Sequence, residues 1–263
     1  MTDSLFSVSD QIVLISGASR GIGRAIAAGF AERGAQVIIT GRQTETLTAA
    51  ADEIGGSVRP WVCDVADVQA VAELAETVFN EYGRIDTLVN VAGVNRRKPA
   101  MEISEEDYDF VLDINLKGAF FLAQAVGKKM IQQGGGSQIN IESLNTDRPL
   151  KHVSPYAISK AGMGHMTKSL ALEWGEHGIR VNGLAPGFIL TDLTQKLWSD
   201  PEMQAWGNAN TPQQRLGRPE DLVGTAIFLA SQASAFMTGQ TLYVDGGFTA
   251  GWSWPIPDGG GQR

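Results

Sequence analysis

The sequence predicts a single-domain, doubly wound α/β fold, a seven-stranded parallel sheet with helices on both faces. Three observations carry this. Short β-branched runs alternate with longer amphipathic stretches from end to end. Each run is apolar at its centre, as strands covered on both faces must be. No repeat, low-complexity linker or composition break divides residues 1–263. A β-α-β alternation of this kind closes through right-handed crossovers.

The candidate strands are 12–15, 37–40, 59–63, 87–90, 138–141, 180–185 and 241–245. The clearest helix carries Val68, Val71, Ala72, Ala75, Val78, Phe79 and Tyr82 in one stripe at helical spacing. Asp67 stands ready to cap it and Gly83 to end it. Longer helical runs are expected from about 104 to 133 and from 154 to about 177. Two segments break the rhythm. Residues 190–217 hold Trp198, Pro201, Trp206 and Pro212, and so long an excursion reads as a lid or binding loop. The tail 251–263 sets Trp252, Trp254, Pro255 and Pro257 before a glycine run, which suggests a docked first half and a frayed end.

Composition narrows the function. A net charge of −8 argues against a nucleic-acid partner, which needs concentrated Lys and Arg. Cys63 stands alone, so no internal disulfide forms. His152, His165 and His177 have no metal-ligand spacing, and no metal is expected. No apolar run approaches a membrane span, and the start lacks a signal-peptide layout. A soluble protein of a reducing compartment, cytoplasmic and with no membrane partner, is the expectation.

After the first strand comes Ser16-Gly17-Ala18-Ser19-Arg20-Gly21-Ile22-Gly23, and then a helix. Such a turn lets backbone N–H groups approach a pyrophosphate at the positive end of the helix. A glycine turn can also serve strand–helix packing alone, but this one opens a β-α-β unit. Its spacing, G-x-x-x-G-x-G, resembles the short-chain dehydrogenase/reductase family, which implies a Rossmann-type fold and a nicotinamide dinucleotide. The second strand ends Thr40-Gly41-Arg42, with glycine where an NAD site usually carries an acid. Either Arg42 or Arg20 alone reads equally well as a solvated residue. Together, with the acid missing, they favour the 2′-phosphate of NADP over NAD; Glu45 nearby is the complication. The resemblance places Asp64 at the adenine with Val65 beside it. Asn90 would steady the sheet, and Ala92 and Gly93 would line the cofactor, with Val91 where relatives carry a second asparagine.

Ser154-Pro155-Tyr156-Ala157-Ile158-Ser159-Lys160 holds the chemical core. Ser154 suits a helix cap and Pro155 its first turn. Tyr156 and Lys160, at i and i+4, emerge on one face. A phenol near pKa ~10 is a poor base, and a neighbouring ammonium favours the phenolate. Such a tyrosine protonates a carbonyl oxygen or deprotonates an alcohol. Ser143, just past the fifth strand, can bond the same oxygen. Asn115 is awkward inside a helix and reads as a kink or a surface site; in the family it holds a water leading from lysine to solvent.

The resemblance covers about 8–250, adding Pro186, Gly187 and Thr191, which in relatives contacts the nicotinamide carboxamide. It implies strand order 3-2-1-4-5-6-7 and a homotetramer with the two long helical runs at one interface. Val94-Asn95-Arg96-Arg97, Trp174–Gly178 and Asn182–Gly187 look like the gluconate 5-dehydrogenase and keto-deoxygluconate dehydrogenase branch. A sugar acid needs a cation, and Arg96, Arg148 and Lys151 are the candidates, with solvated loop charge as the other reading. Glu142 would accept a hydroxyl, or else mark a neutral sugar. Trp198 and Trp206 suit a carbohydrate ring face or an apolar chain. The favoured substrate pair is gluconate/5-ketogluconate. The rivals are a dehydrogenase of a neutral sugar and a 3-oxoacyl-carrier-protein-type reductase, with Arg96-Arg97-Lys98 as a dock. A third, a dinucleotide sensor without catalysis, sits poorly with a complete catalytic set.

Overall fold

The computed structural model describes residues 4–252. In chain order the elements are β1 (Ile12–Ser16), α1 (Gly21–Ala31), β2 (Gln36–Gly41), α2 (Thr44–Ile54), β3 (Val58–Val62), α3 (Val68–Tyr82) and β4 (Thr87–Asn90). Then come α4 (Glu105–Leu112), α5 (Ala119–Gln133), β5 (Gly136–Ile141), α6 (Ser154–Trp174) and β6 (Ile179–Pro186). The last are α7 (Gln195–Trp198), α8 (Pro201–Asn210), α9 (Val223–Ala230) and β7 (Thr241–Val244). Every strand stands within two residues of its expected bounds. All pair in parallel in the order β3-β2-β1-β4-β5-β6-β7. The order reverses between β1 and β4, and ligands of such sheets bind at the carboxyl ends beside that reversal.

The unbroken apolar strands have a direct cause. Val13 and Ile15 face a core made with α1 and α9, while Ile12 and Leu14 face a second core made with α3 and α5. Val37 and Ile39 join the first core and Ile38 the second. Period-two side chains therefore sort into two interiors, and neither face can be polar.

α3 forms as its stripe requires. Asp67 Oδ1 accepts from the N–H groups of Gln69 (2.9 Å) and Ala70 (3.1 Å), and Gly83 ends the helix at φ +75°. Asp67→Ala should cost about 1 kcal/mol of stability, measurable as a lower urea midpoint at unchanged slope.

Three expectations change. Ser154 does not cap α6: it already lies in the first turn, Val153 flanks the helix, and no side chain caps it. Pro155 pre-sets the backbone there, so the helix starts without a cap. The run 104–133 is not one regular helix, because residues Asp113–Gly118 wind as a π turn between α4 and α5. That run, Glu105–Gln133, also meets the length and hydropathy of a membrane span. Half of its most apolar window is buried within the fold, which accounts for the apolarity. In the tail, Trp252 is exposed, while Trp254, Pro255, Pro257 and the glycine run lie outside the described residues.

Candidate active site

The glycine loop turns tightly between β1 and α1. Gly17 and Gly21 have φ +67° and +55°, where only glycine is unstrained. A Cβ on Gly17 would lie 2.6 Å from Ala92 Cα, and one on Gly23 2.5 Å from Gly17 O. Ala18 N–H donates to Thr40 O at 3.1 Å, and Gly41 lies against Ser19, so the end of β2 abuts the loop. Arg20 precedes α1 in extended backbone and offers no capping side chain. The first-turn N–H groups, those of Gly21, Ile22 and Gly23, therefore have no side-chain acceptor, which fits an anionic pyrophosphate. Arg20 and Arg42 are exposed on either side, neither in an ion pair among the described residues.

The other expected cofactor residues border the same crevice. Asp64 Oδ1 accepts from Ala66 N–H at 3.0 Å, and Val65 is buried beside Gly118. Asn90 Nδ2 donates to Asn140 Oδ1 at 3.0 Å and ties β4 to β5. Ser16 Oγ accepts from the N–H groups of Val91 and Ala92, and Gly93 lies against Asn115. Pro186 ends β6, Gly187 N–H donates to Val244 O at 3.1 Å, and Thr191 N–H donates to Thr194 Oγ1 at 3.0 Å. The described residues fit a dinucleotide.

Tyr156 and Lys160 project from α6, with Ser143 opposite at the end of β5. Lys160 Nζ donates to Ile141 O at 2.6 Å and stands 5.8 Å from the Tyr156 ring centre. Ser143 Oγ accepts from Asn145 twice, from its backbone N–H (3.1 Å) and from Nδ2 (3.3 Å). Those acceptances leave the Ser143 hydroxyl hydrogen free to be donated. Asn115 lies in the π turn, which is where its awkwardness goes. Its Nδ2 donates to Val94 O (2.9 Å) and Ser159 Oγ (3.1 Å), and its Oδ1 accepts from Val94 N–H (2.8 Å). A π turn redirects backbone carbonyls, and such turns cluster at functional sites.

Electrostatics departs from expectation. Burial pushes the Tyr156 phenol up, opposed by a hydrogen bond from Ser143 and by the charge of Arg97. In the protein alone the ammonium of Lys160 does not bring the phenol down: Nζ is directed to Ile141 O and stands 5.8 Å from the ring centre. Lys160 itself is pushed down to about 8 by burial, against an upward pull from Glu142.

Tyr156 and Ser143 open on a cleft of about 150 Å³. Its walls include Asn95, Arg97, Asn145, Phe188, Trp198 and Trp206. Phe188 packs on Trp198 (5.2 Å between ring centres), Trp206 (5.5 Å) and Phe248 (4.8 Å), so the excursion 190–217 supplies an aromatic wall. The cation here is Arg97. Arg96 instead lies over the Phe110 ring at 4.1 Å and pairs with Asp107 at 3.6 Å. Arg148 and Lys151 are exposed and do not line the cleft. Glu142 does not face it either: its carboxyl is buried against α6, β6 and β7, taking hydroxyl donors from Thr167 and Thr241. Adjacent side chains after β5 point to opposite sides, so Ser143 reaches the cleft and Glu142 the interior. Asn95 and Arg97 entered the sequence reading only within the stretch Val94-Asn95-Arg96-Arg97 and, for Arg97, as part of a carrier-protein dock. Asn145 was not singled out, and its only trace is position, beside Ser143.

A family model described as enoyl-(acyl carrier protein) reductase matches residues 17–249. The gluconate 5-dehydrogenase of Gluconobacter oxydans (strain 621H) is 41% identical, over 93% of this chain and 97% of its own. The chain belongs to the short-chain dehydrogenase/reductase family. As such it is an NAD(P)-dependent oxidoreductase acting on CH–OH groups. A second relative, the D-threitol dehydrogenase of Mycolicibacterium smegmatis, is 41% identical over 93% of this chain and 95% of its own. The crystal structure of a gluconate 5-dehydrogenase from Burkholderia cenocepacia J2315, in complex with NADP and tartrate, superposes with TM-score 0.91. It is 38% identical and covers 95% of this chain and 99% of its own.

Proposed function

We propose that this short-chain dehydrogenase interconverts a ketone and a secondary alcohol on a sugar acid, gluconate and 5-ketogluconate being the favoured pair, with NADP(H). The observation that carries the substrate class is Arg97 on the cleft wall beside Tyr156 and Ser143. A guanidinium grips a carboxylate in a two-point fork, while the aromatic wall covers the carbon chain. Relatives named for gluconate and a neighbour crystallised with tartrate, a dicarboxylate, agree with this.

The nicotinamide, when bound, supplies or accepts the hydride. Tyr156 gives its proton to the carbonyl oxygen in reduction and takes it from the alcohol in oxidation. Ser143, its acceptor side filled by Asn145, donates its hydroxyl to the same oxygen. Lys160 places positive charge behind the phenol, and Asn115 holds the loop of Val94 in place. Thr191, Pro186 and Gly187 border the nicotinamide end. Arg20 and Arg42, both free of ion pairs among the described residues, would take the 2′-phosphate, and a neighbouring structure solved in complex with NADP supports that cofactor.

A panel of ketogluconates, gluconate, neutral polyols and 3-oxoacyl thioesters, run in both directions, tests this. Arg97→Leu should raise KM for the sugar acid by about 30-fold or more, since each charge-assisted bond counts for more than a neutral one, and leave a neutral polyol unchanged. A neutral polyol is the second reading, favoured by the D-threitol dehydrogenase relative. Turnover of 3-oxoacyl thioesters, with none of sugar acids or polyols, would overturn the proposal. The carrier-protein dock is weakened in this structure, because Arg96 and Lys98 both pair with Asp107.

A further inference from the structure

Glu142 is a titratable group inside the fold that the reaction as described leaves unused. Its side chain is 1% exposed. Its backbone N–H continues the β5–β6 ladder, donating to Leu184 O at 2.9 Å, so the residue is pinned at both ends. Oε1 accepts from Thr167 Oγ1 of α6 at 2.8 Å, and Oε2 from Thr241 Oγ1 of β7 at 2.9 Å. Room for it exists only through glycine: a Cβ on Gly183 would overlap the carboxyl, and one on Gly164 would touch Oε2 at 3.5 Å. Thr167 Oγ1 in turn accepts from Asn140 Nδ2 (3.0 Å), whose Oδ1 accepts from Asn90 Nδ2 (3.0 Å). A polar chain thus runs through the interior from β4 to β7 and passes through this carboxyl.

Lys160 is buried nearby, within reach of its charge but not in an ion pair with it. Gly164, against the carboxyl, lies one helical turn beyond Lys160, and the carbonyl that holds Nζ belongs to Ile141, the residue before Glu142. An ammonium has three donors, and a buried one needs a counter-charge more than it needs a single carbonyl. Lys160 has that carbonyl and the weak sulfur acceptor of Met163 (3.7 Å). The titratable groups around the pair are few. α6 contributes Lys160, Lys168 and Tyr156; β7 contributes Tyr243, whose hydroxyl donates to Asp147; β6 presents Gly183.

We propose that Glu142 is a positioning residue for the reaction, an internal counter-charge that holds Lys160 as an ammonium behind Tyr156 at the moment the phenol gives up its proton. Burial alone would drive both groups neutral, the acid up and the lysine down, and each opposes that drift in the other. Two hydroxyl donors on the carboxylate tip the balance further towards the charged pair. This rests on Tyr156 and Lys160 acting as read above.

The sign follows. Removing the carboxylate leaves Lys160 to lose its proton at lower pH, so alcohol oxidation should fail earlier on the alkaline side. Glu142→Gln and Glu142→Ala should each move the alkaline limb of the kcat profile down by about one pH unit, as expected for loss of an opposite charge in the interior. A limb that stays at its wild-type position in a folded variant, with only the melting temperature lowered, would reduce Glu142 to a structural tie and overturn the proposal. A second measurement needs neither a substrate nor a Glu142 variant, so it separates this proposal from the choice of sugar acid. Lys160→Met strips Glu142 of its counter-charge, and its infrared spectrum at neutral pH should gain one protonated-carboxyl band over wild type. No gain would mean that the carboxyl is either already neutral near Lys160 or held ionised by Thr167 and Thr241 without it, and either outcome would equally overturn the proposal.

Discussion

Tyr156→Phe is expected to cut turnover by about 10²–10⁴-fold, the range that a positioned proton donor contributes, while NADPH binding stays intact. The substitution removes one oxygen and nothing else: the ring keeps its place on α6, and Lys160 keeps its bond to Ile141 O. Burial already holds the phenol in its protonated form, so the hydroxyl is a ready donor in the reducing direction. Lys160→Ala should harm both turnover and cofactor affinity, because it removes a buried charge from the point where the phenol and the nicotinamide end of the crevice meet. Stopped-flow hydride transfer and NADPH fluorescence titration separate the two effects. Substantial turnover by a folded Tyr156→Phe protein would remove the tyrosine from the mechanism.

Arg42→Asp combined with Arg20→Ala is expected to reverse a preference for NADP. Both guanidiniums flank the uncapped start of α1, and each charge-assisted contact with a 2′-phosphate multiplies affinity, so together they supply a ratio of about several hundredfold. The new aspartate would repel that phosphate and accept from the free ribose hydroxyls instead. Ratios of kcat/KM for NADP and NAD, at fixed ionic strength because the charges are exposed, give the answer. Equal ratios in the wild-type protein would defeat the NADP reading. Glu45, exposed in the first turn of α2, is the residue through which an unphosphorylated ribose would be tolerated.

What could be read in advance was whatever depends on neighbours along the chain. Strands such as β1 and β2 were legible because burial on both faces makes them almost continuously apolar, and α3 was legible down to its cap because Asp67 and Gly83 act within one turn. The glycine loop was legible because its φ values and close approaches admit only glycine. Tyr156 and Lys160 were legible because one helix sets their spacing. Contacts between distant segments were another matter. That Arg97 rather than Arg96 meets the cleft depends on Asp107 and Phe110 capturing Arg96 from α4. The fate of Glu142 depends on Gly164, Gly183, Thr167 and Thr241, which lie on three different elements. The sequence by itself determined the fold, the glycine loop and the helix that carries Tyr156 and Lys160, since local spacing and hydrophobic period encode them. Only the tertiary structure decided which charge lines the cleft and which is sealed in the interior, because a side chain's partner across the fold leaves no spacing to read.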